Sequence, residues 1–71
     1  MSNSTKLILD LYETVNKNTI AGLAILSLIR SDSFKDDEIL SYIQDTARDN
    51  LKLMKEVIPA ELLERILNYK P

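Results

Sequence analysis

The chain has no cysteine, no histidine and no tryptophan, and its 71 residues include one glycine and two prolines. Each scarcity excludes something. Without cysteine no disulfide can staple the fold, and nothing marks an oxidising compartment. Without histidine and cysteine the usual ligands of zinc, haem and copper are missing, and so is the base of a histidine-dependent nucleophile. A di-iron helical bundle falls with them, because it needs Glu-x-x-His on facing helices. The lone Gly22 cannot build a glycine-rich phosphate loop. No cofactor and no metal is expected, and the chain reads as a non-enzyme.

What is present favours helix. Apolar residues make up 45% of the chain and few breakers interrupt them, a balance that argues against disorder. The formal charge is −2, and Lys6, Lys17, Arg48, Lys52, Lys55 and Arg65 are scattered. With no concentrated basic footprint, nucleic acid is not the expected partner. The polar start from Ser2 to Lys6 lacks the pattern of a signal peptide, so a cytoplasmic location is expected. The length suits one helical domain over residues 1–71.

The strongest single feature is the run Thr19–Ile29, in which no charge appears. It is too short to span a bilayer, which needs about 20 apolar residues. It is also too apolar on all sides for an ordinary surface helix, so it asks to be covered all round.

The apolar spacing predicts an antiparallel helical hairpin, over about 5–30 and 35–57, with a short helix at about 59–69. In the first segment Ile8, Leu11, Tyr12, Val15, Gly22, Ile25, Leu26 and Ile29 form one stripe with gaps of three, four and seven. In the second, Leu40, Ile43, Ala47, Leu51, Met54 and Ile58 form the stripe, flanked by Ile39, Tyr42, Leu53 and Val57. Ser31–Phe34 reads as the turn, with Asp32 or Ser33 as cap and Phe34 as a hydrophobic staple against Ile39 or Leu40. Pro59 ends the second segment and suits the start of the third, with Ile58 as the bend. At about 1.5 Å per residue the two long helices would measure about 39 and 35 Å.

Two such helices cannot cover residues 19–29, whereas two hairpins can. The expected assembly is therefore a homodimeric four-helix bundle, with Ile20, Gly22, Leu23, Leu26 and Ile29 at the interface. Gly22, beside Ala21 and Ala24, would mark a close helix crossing at its centre. The rival is a compact three-helix monomer. Leu62, Leu63, Ile66 and Leu67 form the sticky face of the last helix, spaced to anchor in a protein partner's groove.

The expected outline, an acidic hairpin pairing into a bundle, resembles the small RNA-binding plasmid regulators of the Rop type. That resemblance is one of architecture, carried by no residue motif, and no site follows from it. The leading function is a small dimeric regulator or adaptor that binds itself and a protein target; the alternative is a nucleic-acid-binding modulator of hairpin-dimer architecture. A membrane-surface protein ranks third and an enzyme last. The acidic group Asp32, Asp36, Asp37 and Glu38 lacks the glycine of a calcium loop and is explained by helix capping. Asn16, Asn18 and Asn50 read as solvent-facing, the alternative being a buried asparagine that sets register.

Overall fold

Asparagine favours turns over helix interiors, because its side chain bonds nearby backbone groups. Asn16 does this, and it ends the first helix early. The computed structural model describes residues 2–71. It has five helices and, among those residues, no strand: α1 (Asn3–Thr14), α2 (Ile20–Arg30), α3 (Asp36–Asp49), α4 (Leu51–Val57) and α5 (Ala60–Leu67).

The predicted first helix is thus two helices. Its stripe spans a seven-residue gap between Val15 and Gly22, and that spacing keeps helical phase whether or not the intervening chain is helical. Val15 leaves the helix at φ −58°, ψ 137°. The Asn16 amide donates to Val57 O at 2.8 Å, and its Nδ2 donates to Glu56 O at 3.2 Å. Asn16 Oδ1 accepts the Asn18 amide at 3.0 Å. One residue so ties the end of α1 to the end of α4.

Thr19 restarts the helix. Its Oγ1 accepts the Gly22 amide at 2.9 Å and donates to Asn16 O at 3.0 Å. The Asn16 carbonyl lies against the first turn of α2, and a Cβ on Gly22 would fall 1.8 Å from its oxygen. Gly22 is therefore required by this approach of backbone within one chain, not by the helix crossing at a dimer centre that the sequence suggested.

The second predicted helix also divides. Asn50 adopts φ −152°, ψ 78°, and its Oδ1 accepts the Leu53 amide at 3.1 Å, capping α4. Ile58 is extended and Pro59 precedes α5, as the proline predicts. The turn runs slightly longer than expected: Lys35 is the cap of α3, and Glu38 Oε1 accepts its amide at 2.9 Å. Asp36, Asp37 and Glu38 fill the first turn, where the helix dipole favours them. The principal extents, 28 × 23 × 19 Å, leave no room for a 39 Å helix. The breaks fold the chain back on itself, which removes the two-hairpin geometry from which the four-helix bundle was inferred.

Helix α3 is central and packs on each of the others. The core draws Leu7, Ile8 and Leu11 from α1, Leu40, Ile43 and Ala47 from α3, and Met54 and Val57 from α4. Among the described residues no polar or charged side chain is buried. From α5 come Leu62, Leu63 and Ile66, so three of the four residues assigned to a partner's groove face the protomer's own core; Leu67 is exposed. Gln44 Nε2 donates to Ile66 O and Tyr69 O, both at 2.9 Å, tying α3 to the end of α5 and the chain just beyond it.

Two stability predictions rest on these contacts. Gly22→Ala should destabilise by about 3 kcal/mol, since neither the carbonyl nor α2 can retreat without breaking the junction. A thermal melt should fall by roughly 15 °C, at about 4–8 °C per kcal/mol for a chain of this size; an unchanged melt would contradict the junction. Deleting 59–71 removes three core side chains, roughly 6 kcal/mol of burial, against a total stability of about 5–15 kcal/mol. The truncated chain should lose cooperative melting by circular dichroism.

Candidate functional site

Helix α2 is the most apolar helix of the chain, yet it buries only Gly22, Ile25 and Leu26. The other side of α2 faces out. Ile20 is 89% exposed and Leu23 51% exposed, and Ala24 and Ser27 are exposed beside them. Spacings of three, one and three place these four on one face. Of the five residues predicted at an interface, Ile20 and Leu23 are on this outer face, Gly22 and Leu26 point inward, and Ile29 is half-buried.

Helix α3 and the turn before it extend the face. Phe34 is 46% exposed and Tyr42 50% exposed. With Ala24, Ser27, Leu28 and Ile39 they line an open groove of about 570 Å³ between α2 and α3. Phe34 lies just before the cap of α3 and shares this groove with Ile39, the pairing expected of a hydrophobic staple.

The polarity of the groove is largely used up internally. Ser27 Oγ donates to Leu23 O at 3.0 Å. Glu38 is the one charged residue in the lining, and its Oε1 is held by the Lys35 amide. The two cations that bracket the apolar run turn elsewhere. Arg30 Nη2 lies 3.4 Å from the Tyr12 hydroxyl, and its guanidinium carbon is 5.8 Å from the Tyr12 ring centre. Lys17 Nζ is 6.0 Å from the same ring, at the outer reach of a cation–π contact. The site is thus a largely apolar face with one carboxylate in its lining.

A smaller groove of about 270 Å³ runs between α4 and α5, lined by Leu51, Lys55, Ala60, Leu63, Glu64 and Leu67. It holds the exposed member of the predicted partner-binding set. Among the described residues no three Asp or Glu side chains converge as a metal cage requires, and no helix is long and apolar enough to cross a membrane. The part played by Phe34, Tyr42, Ala24 and Leu28 was missed from sequence. Its available signals were an aromatic ring in a polar turn and a second on the flank of the α3 stripe.

The tyrosines report on this arrangement. The hydrogen bond and charge of Arg30, helped by the charge of Lys17, hold the Tyr12 phenol below its ordinary value. The hydrogen bond to the Asp37 carboxylate pushes Tyr69 up. A phenol with a lowered value favours the folded state increasingly as pH rises; one with a raised value contributes below its unfolded range and loses that contribution as pH rises through its folded value. Ultraviolet titration should therefore ionise Tyr12 before Tyr69, and Arg30→Gln should delay the first step. Simultaneous ionisation in wild type and variant would show that Arg30 is not held on Tyr12.

No protein-family model, no curated protein and no solved structure matches this chain.

Proposed function

We propose that the protein is a non-enzymatic interaction module, which offers the α2–α3 face to an apolar helix of another polypeptide. One observation carries the reading: the most apolar helix turns an uncharged side outward, beside a groove lined by Phe34 and Tyr42. A soluble chain that keeps large apolar side chains together on its surface keeps them for contact. Helix-in-groove recognition needs anchors at three- and four-residue spacing; Ile20 and Leu23 supply two at three-residue spacing, and Ala24 and Ser27 line the groove beside them. The docking face thus moves from α5, where sequence spacing put it, to α2. Such a module serves as a small regulator or adaptor.

The charges support an apolar mode of binding. Arg65 pairs with Asp10 at 3.0 Å and Arg48 with Asp45 at 2.9 Å, while Arg30 and Lys17 turn to Tyr12. These cations are spread over several elements rather than gathered in the stripe that a phosphate backbone requires.

An apolar fluorescent dye tests whether the face is open. Dilute wild type should enhance its fluorescence, and Leu23→Ser and Tyr42→Ser should each cut the enhancement severalfold. Both positions face water, so each substitution should change stability by only about 0.5 kcal/mol. Dye binding that ignores both substitutions would remove the face from consideration.

A further inference from the structure

We infer that the occupant of the α2–α3 face is a second copy of this chain, packed across a twofold axis near Leu23. The inference rests on the reading of that face as a docking surface. A closed pair requires a self-complementary patch, one that carries both a projection and the recess that receives it. Ile20 is the projection, standing 89% exposed at the start of α2. The recess lies farther along the same helix, between Ala24 and Leu28, with Phe34 and Tyr42 as its other wall. Projection and recess are about 9 Å apart along the axis, at about 1.5 Å per residue. A twofold midway between them passes near Leu23. It sets Ile20 of each copy into the other's groove and brings the two Leu23 side chains together.

Area and charge agree with this occupant. Ile20, Leu23, Phe34 and Tyr42 are exposed at 89, 51, 46 and 50%. Since large side chains carry about 150–250 Å², these four leave roughly 500 Å² open per copy. Pairing two copies covers about 1,000 Å², the level at which specific interfaces begin. The paired α2 helices run antiparallel, so their dipoles oppose. No lysine or arginine lines the groove, its single carboxylate is Glu38, and the outer-face residues of α2 about the axis, Ile20, Leu23, Ala24 and Ser27, are uncharged. Closing the pair therefore stacks no like charges at its centre. Ala24 and Ser27 are small enough to let the two helices approach.

The test uses the full chain. Light scattering after size exclusion, from micromolar to millimolar concentration, should give twice the protomer mass at the upper end. Leu23→Asp should give the protomer mass throughout, with an unchanged far-ultraviolet spectrum because the position faces water. As the chain has no cysteine, Leu23→Cys places a single thiol at the axis. Under mild oxidation it should form a covalent dimer at least about tenfold faster than the control Leu9→Cys on α1, owing to its high effective concentration.

A protomer mass for wild type at every concentration overturns the second copy. If the dye still responds to Leu23→Ser or Tyr42→Ser in that case, the docking face stands and takes another occupant; if it ignores both, both readings fall. A Leu23→Asp variant that stays dimeric, or a Leu9→Cys variant that links as fast, also overturns the proposed axis.

Discussion

The peptide of Asn16 is the constraint on which the rest of the structure depends. Its amide is bound by Val57 O, its carbonyl by Thr19, and its side chain by Glu56 O and the Asn18 amide. This set satisfies polar groups that an interrupted helix would otherwise leave open. It also forces the carbonyl so near α2 that only a residue without a side chain fits at position 22. The single glycine of the chain and its most connected asparagine are two halves of one junction.

That junction determines what the core contains. Once α1 ends at Thr14, the chain can turn and lay α2 beside α1 and α3 rather than continue away from them. Five short helices enclose one apolar interior that excludes polar side chains among the described residues. Ion pairs are peripheral. Arg65–Asp10 and Arg48–Asp45 are solvent-exposed, and such pairs contribute about 0–1 kcal/mol. Stability rests on burial, to which α5 adds Leu62, Leu63 and Ile66.

The same geometry leaves a surplus. Helix α2 has apolar residues on all sides, and a chain this small has only enough neighbours to cover one of them. Gly22, Ile25 and Leu26 use the covered side. Ile20 and Leu23 do not, and the turn and α3 add Phe34 and Tyr42 to the uncovered one. The uncharged stretch of sequence and the open groove are one feature seen at two levels, and the proposed assembly is a way of covering it.

Much of the fold is legible in the amino-acid sequence. Composition determined an all-helical chain, because apolar residues at helical spacing had almost no breakers among them. Pro59 determined the bend at Ile58 through its ring and missing amide, and the acidic residues after Phe34 marked the start of α3. Tertiary structure decided the break at Asn16, whereas Asn50 caps α4 through a bond to the nearby Leu53 amide. An asparagine within a helical pattern is tolerated or not according to what its side chain and backbone can reach, and two of the partners of Asn16, Val57 O and Glu56 O, lie some forty residues away. The apolar stripe already held Gly22, Ile25 and Leu26, the residues that α2 buries. Tertiary structure decided that the other side, with Ile20 and Leu23, finds no cover within the chain, because spacing says which residues share a face and not how many neighbours reach it. It also decided the role of Gly22, through the Asn16 carbonyl lying against it, a contact between backbone and backbone that no side-chain pattern encodes.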